Sequence, residues 1–232
     1  MQPATGSHEL ASTHPVPGIA ADHPGVVELF ALLAYGEVAA FYRLTDEARM
    51  APNLKGRINM ASMAAAEMGH YELLREALER RGVDALPAMS RYASALENYH
   101  RLTTPSTWLE ALVKTYVGDA MAADFYLEIA GMLPAEIADV VRGALSETGH
   151  SQFVVEEVRA AVAASDMQRS RLALWSRRLL GEAITQAQYV LADRDELVDL
   201  VLSSHGGLGQ MAEFFERLQR THAERMSHLG LG

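Results

Sequence analysis

The chain has 232 residues, of which 49% are hydrophobic and 22% charged, a composition that is typical of a globular protein with a sizeable core. Its formal net charge of −10 argues against a basic nucleic-acid-binding domain. It contains no cysteine, which excludes a disulfide scaffold, a cysteine-ligated zinc site and an iron–sulfur cluster.

Residues 1–23 contain several prolines, glycines and histidines and show no helical period, which predicts a flexible N-terminal arm. No basic leader followed by an apolar core occurs here, and no apolar run approaches the roughly 20 residues of a membrane span. We therefore expect no membrane association and a cytoplasmic location. Residues 24–232 are expected to form a single helical domain.

Apolar residues at helical spacing predict four long helices, over 24–51, 54–81, 106–131 and 134–164. Prolines and a glycine mark their ends: Pro52, Gly82, Pro105 and Pro134. Helices of this length would be roughly 37–45 Å long at the rise of an α-helix, as is typical of helical bundles.

Short turns join the first helix to the second and the third to the fourth, which predicts two antiparallel hairpins. The connection over 83–105 is much longer and has a weak helical pattern around 92–100. Further helices are predicted over 167–191 and 210–229, with a short helical piece at 196–203. The predicted fold class is all-α: a four-helix bundle with one long crossover and two additional C-terminal helices.

Each long helix carries an ionisable residue within its apolar face. Burying four carboxylates without partners would cost several kcal/mol each, on the order found for buried ions. Two divalent metal ions would neutralise these carboxylates, and two imidazoles would complete the ligand set. The candidate ligands are Glu37, Glu67, His70, Asp119, Glu147 and His150.

The spacing of these residues repeats. Glu67-Met-Gly-His70 and Glu147-Thr-Gly-His150 share the pattern Glu-x-Gly-His, which places both ligands on one helix face. The Gly before each His would allow a neighbouring helix or the metal to approach closely. A Gly-acid pair, ending in Glu37 or Asp119, stands about 30 residues before each pattern. The two halves therefore form an internal repeat, which favours two metals bridged by carboxylates.

Several alternatives stay open at this point. Asp119 is one methylene shorter than Glu, so Asp124 or Glu128 on the same helix could replace it as a ligand. A third Glu-x-x-His, Glu97-Asn-Tyr-His100, lies in the crossover and breaks the repeat, so we interpret it as a chance match. Glu182 and His222 are expected to have a surface or supporting role.

The ligand pattern resembles that of the ferritin-like di-iron carboxylate superfamily over residues 26–162. With its two added C-terminal helices, the chain resembles the tRNA isopentenyladenosine hydroxylase-like branch, whose members act on a modified adenosine next to the anticodon. The resemblance implies that Glu37, Glu67 and His70 hold one metal. Asp119, Glu147 and His150 would hold the other, with Glu67 and Glu147 as the bridging carboxylates.

The resemblance implies an oxidoreductase: a di-iron, oxygen-activating hydroxylase (monooxygenase) with two iron ions, or manganese instead, and O2 as co-substrate. A reductase would donate electrons and a modified tRNA nucleoside would be the substrate. A homodimer is one of the oligomeric states that the sequence leaves open. Arginines within 75–101 would then meet phosphates, although a solvated helix face is the favoured interpretation both of these arginines and of those within 169–178. The rival hypotheses are a ferroxidase or peroxide-scavenging protein and a non-enzymatic helical protein with a vestigial metal site.

Overall fold

The structure is a computed structural model that describes residues 19–146, 151–205 and 208–232. Its helices are α1 (Pro24–Glu47), α2 (Leu54–Glu79), α3 (Ala85–Ser90), α4 (Ala93–Leu102), α5 (Trp108–Ala130), α6 (Ala135–Ala144), α7 (Ser151–Ala164), α8 (Asp166–Ala192), α9 (Asp195–His205) and α10 (Leu208–Leu229). The described residues contain no strand, so the predicted all-α fold is confirmed.

The ends of the first hairpin follow from local chemistry. The His23 ring caps α1, because its Nδ1 accepts a hydrogen bond from the backbone of Gly25 at 3.0 Å. Asn53 caps α2 in the same way through the backbone of Gly56, at 2.8 Å. The chain leaves α2 through Gly82, whose φ of 71° favours glycine. The two helices then pack along each other as the predicted antiparallel hairpin.

The predicted long crossover contains two short helices, α3 and α4. Tyr92 lies between them, is almost completely buried, and donates its hydroxyl hydrogen bond to Glu28 on α1. Arg91 pairs with the other oxygen of Glu28 at 2.8 Å. The crossover is therefore attached to α1 by a charged and hydrogen-bonded contact, which fixes α4 beside the bundle.

The prediction of one continuous helix over 134–164 is wrong. Helix α6 ends at Ala144, and Leu145 already has a non-helical backbone, with φ −107° and ψ 14°. The Ser146 hydroxyl donates to the carbonyl of Gly143 at 2.9 Å, a local bond that competes with helix continuation. The predicted ligands Glu147 and His150 fall outside the described residues.

The segment Pro24–Met50 is long and apolar enough to cross a membrane by length and composition, contrary to our expectation from the sequence. Within the fold, 61% of its most apolar window is buried, and α1 packs against α2 and α9. This is weak evidence for a membrane span, because the core helix of a bundle meets the same criterion. Of the predicted arm, residues 1–18 lie outside the described part, whereas Ile19 is buried in the core.

The interior divides into two hydrophobic clusters, at opposite ends of the long helices. One contains Leu29, Phe30, Leu74, Leu78, Ile129 and Ile137. The other contains Leu44, Met60, Leu112, Val158 and Leu172. On α1, α2 and α5 the fully buried hydrophobic residues of one cluster stop before those of the other begin, and the ionisable residues lie in this interval. The fold thus places a polar layer at mid-height of the bundle.

Candidate metal centre

Three of the predicted ligands converge in this polar layer. Nδ1 of His70 lies 3.3 Å from Oε2 of Glu67 and 3.5 Å from Oε2 of Glu37. Glu67 and His70 come from successive turns of α2, whereas Glu37 reaches across from α1. One ligand atom from each residue lies within 4.8 Å of the other two. We call these three residues the carboxylate–histidine cluster.

Burial and hydrogen bonding set the protonation of this cluster. Burial raises the pKa of Glu37 well above its ordinary value, although the hydrogen bond with His70 partly opposes this shift. Burial also disfavours the charge on Glu67, but hydrogen bonds from His70 and Glu37 outweigh it and lower the pKa of Glu67. The same two carboxylates raise the pKa of His70 to about 9. Near neutral pH the His70 imidazole is therefore charged, while burial disfavours the charged form of Glu37 and the hydrogen bonds favour the charged form of Glu67.

The donor set fits a divalent metal ion. Two carboxylates and one imidazole are ligands that iron and manganese accept, and they lie close enough to share one ion. Any proton held by Glu37 or His70 would leave when a metal binds, because ligands bind in their deprotonated forms. The same ion would compensate the buried Glu37 carboxylate, whose charged form burial disfavours.

The cluster lines a cavity of about 490 Å3 that lies mainly between α1, α2, α4 and α5. Tyr126 lines the cavity, and its pKa is raised by burial and by the charge of Glu37. Gly36 and Gly118 also line it, and a Cβ added to either would meet no atom within 4 Å. These glycines therefore leave space in the cavity wall. The cavity is in the size range of small-molecule binding sites.

Asp119 lines the same cavity but does not belong to the carboxylate–histidine cluster. Its Oδ1 accepts from Nη2 of Arg43 at 3.5 Å, and its side chain is 43% exposed. Its role as a ligand of a second metal stays a prediction, because its expected co-ligands lie outside the described residues.

The proposed substitutes for Asp119 are paired with cations of α10. Asp124 makes a two-pronged contact with Arg225, with Nη2 2.6 Å from Oδ1, and Glu128 pairs with Arg217. Neither acid belongs to the carboxylate–histidine cluster. Replacement of Asp119 by either residue stays a prediction, because the co-ligands of the second metal lie outside the described residues.

Two buried cations beside the cluster were not predicted from the sequence. The Arg43 side chain is only 7% exposed and donates to Glu47 and Thr115 at 3.0 and 2.9 Å. Burial disfavours its charge, but Glu47 and Asp119 outweigh this effect and raise the pKa of Arg43. Lys114 is 3.4 Å from Glu47, and burial lowers its pKa to about 8. The i,i+4 spacing of Arg43 and Glu47 was the available sequence signal, but it did not reveal burial.

The two residues of the Glu-x-x-His motif in the crossover, Glu97 and His100, lie in different places. Glu97 accepts a hydrogen bond from the Tyr35 hydroxyl at 2.6 Å and lies outside the cluster. His100 lines the cavity, and its Nδ1 has no hydrogen-bond partner among the described residues. Burial, with Arg43 and Lys114 nearby, lowers the pKa of His100 to about 2, so the imidazole is neutral. The motif contributes an imidazole to the cavity wall without forming a Glu-His pair.

The close approach expected at Gly69 is wrong, because this glycine is exposed and an added Cβ would meet no atom within 4 Å. Its counterpart before His150 is outside the described residues.

Glu182 is half-buried on α8, and His222 is buried on α10 with an unpartnered Nδ1 among the described residues. Neither is part of the cluster.

A family model described as "Ferritin-like domain, actinomycetes" matches residues 21–204. The match extends from the start of α1 through α9 and includes the cluster, the cavity and the crossover. A search of curated proteins found no match to the chain.

Proposed function

Because the chain belongs to the ferritin-like domain family of actinomycetes, we propose that it is an oxygen-activating hydroxylase with a di-iron centre. Glu37, Glu67 and His70 would hold one ion. Asp119, Glu147 and His150 would hold the second. The observation that carries the proposal is the convergence of the first three side chains beside a cavity.

The iron would supply O2 activation, whereas the protein positions the substrate and limits the access of water. One oxygen atom of O2 would enter a C–H bond and the other would leave as water, which requires two electrons and two protons. The chain has no cysteine with which to hold an iron–sulfur electron carrier. A separate reductase is therefore part of the proposal.

The size of the cavity favours an organic substrate over ferroxidase or peroxidase-like turnover. A volume of about 490 Å3 accommodates more than O2 or peroxide. Tyr126, His100 and Leu96 give the cavity both apolar and hydrogen-bonding surface, which a carbon substrate can use.

A tRNA substrate receives little support from the two arginine groups. Arg75 pairs with Glu72 and Glu79, and Arg91 pairs with Glu28. In the second group, Arg169 and Arg171 pair with Asp166 and Glu110. Arginines that already neutralise carboxylates gain less from phosphate contacts. We therefore propose a small organic substrate in preference to an RNA. Binding of tRNA to the purified chain is the alternative to be measured.

The test is metal content per chain after expression in cells supplemented with iron and manganese. We expect about two iron atoms in the wild type, the number of the proposed centre. A Glu67→Gln/Glu147→Gln double variant should lose them. Glu97→Gln is the matched control, since it alters the other Glu-x-x-His and should retain both.

Two other results would change the proposal. Two manganese ions would favour peroxide scavenging over hydroxylation. A folded wild-type chain that takes up neither metal would contradict the proposed function and favour a vestigial site.

A further inference from the structure

A second pocket, which we call the apolar pocket, lies between α4, α5, α8 and α9 and has a volume of about 200 Å3. Its wall is formed mainly by hydrophobic side chains. They include Leu32, Met121, Phe125, Ile184, Val190 and Leu197. Most of this wall comes from the crossover and the C-terminal helices, not from the α1–α2 hairpin that carries the cluster.

One buried polar side chain interrupts this apolar wall. Gln186 on α8 is only 7% exposed and lines the pocket. Its amide makes no hydrogen bond to any residue in the described part of the chain. The amide atoms are accessible from the pocket, so they can pair with a hydrogen-bonding group of a ligand there. The wall therefore suits a molecule that is apolar over most of its surface and has one polar group.

The apolar pocket adjoins the cavity of the carboxylate–histidine cluster. Five residues line both spaces: Leu96, Tyr99, Gly118, Ala122 and Tyr126. At Gly118 an added Cβ would meet no atom within 4 Å, so the backbone there borders open space. A molecule seated against Gln186 would thus reach towards the cluster past the two tyrosines.

We infer that the apolar pocket binds an uncharged molecule of about ten non-hydrogen atoms that carries one hydrogen-bonding group, paired with Gln186. The size follows from the volume, because a cavity of about 150 Å3 holds benzene. That the bound molecule is the substrate to be hydroxylated rests on the proposed function. The binding itself does not.

The experiment compares two probes of equal size, 4-ethylphenol and 4-ethyltoluene, by titration calorimetry. The full chain is titrated both as purified and after treatment with a chelator. We expect saturable binding of both probes and a preference for the phenol of about five- to tenfold, the effect of one net hydrogen bond.

Variants separate the pocket from nonspecific binding. Gln186→Leu should abolish the preference for the phenol while the toluene still binds. Gln188→Leu, an exposed position on the same helix, should leave the preference unchanged. Gly118→Leu should weaken both probes at least fivefold, because its side chain would occupy the junction; circular dichroism checks that it folds.

Lack of saturable binding by the wild type, or an unchanged preference in Gln186→Leu, would overturn the inference. Failure of the inference about the apolar pocket can be distinguished from failure of the proposed function. A chain that holds two iron atoms but binds neither probe overturns the inference alone. A chain that binds the probes with the expected preference but takes up no metal supports the pocket and contradicts the hydroxylase.

Discussion

Arg43 and Asp119 face each other across α1 and α5, with Nη2 of the arginine 3.5 Å from Oδ1 of the aspartate. The same guanidinium donates to Thr115, so it joins α1 to two side chains of α5, and it also donates to Glu47 on its own helix. A metal ion at Asp119 would share this carboxylate with a permanent cation. The two repeat-related acids, Glu37 and Asp119, are therefore unequal in the structure.

This inequality predicts unequal effects of ligand substitutions. In Asp119→Asn we expect the iron content to fall from about two atoms to about one per chain, because the carboxylate–histidine cluster is unchanged. Glu67→Gln should lose more, since the proposed role of Glu67 is to bridge both ions. The measurement is the iron content per chain of the two purified variants. Retention of two iron atoms in Asp119→Asn would show that Asp119 is not a ligand.

Arg43→Met should lower the free energy of unfolding by about 3–5 kcal/mol. The reason is that it leaves buried carboxylate charge without its main partner. Arg49→Met is the matched control, because Arg49 is 81% exposed and lies 3.6 Å from Asp46. It should change stability by less than about 0.5 kcal/mol. Urea unfolding of both variants measures the difference in the free energy of unfolding. Equal losses in the two variants would contradict the claim that burial of Arg43 makes its ion pairs important for stability.

The metal-free protein should lose stability as the pH rises from about 6.5 to 9. His70 has a pKa raised to about 9 by Glu37 and Glu67, above its ordinary value of 6.5, so the folded state holds the proton more tightly. Its stabilising contribution is complete below pH 6.5 and is lost as the pH approaches 9. Urea unfolding of chelator-treated wild type and His70→Gln should give curves that converge over this range. Parallel curves would be inconsistent with a proton held by His70.

Glycine substitutions should distinguish open from crowded helix positions. Gly181→Ala, on an exposed part of α8 where a Cβ meets no atom within 4 Å, should stabilise the protein by about 0.5–1 kcal/mol. Gly25→Ala should destabilise it, because the new Cβ would lie 2.4 Å from the carbonyl oxygen of Glu196 and 2.6 Å from Cβ of Leu200. Thermal unfolding midpoints that move in opposite directions would agree with this contrast.

Much of the fold could be predicted from local patterns. The start of α1 at Pro24, the start of α2 at Leu54 and the break at Gly82 all follow from residues that begin or end helices. The grouping of Glu67 with His70 was also predictable, because residues three apart share a helix face. The error over 134–164 arose where Ser146 bonds to the carbonyl of Gly143, a local competition that apolar periodicity does not report.

The sequence by itself determined three of the four long helices, the α1–α2 hairpin and the position of ionisable residues within apolar faces, because these depend on neighbours within a few turns. Only the tertiary structure decided that Arg43 reaches Thr115 and Asp119, 72 and 76 residues away. It also decided that Gln186 borders a pocket shared with α1 and α5. Such contacts depend on how separate helices rotate and pack against one another. Spacing along a single helix does not specify that rotation, since each face can meet several partners.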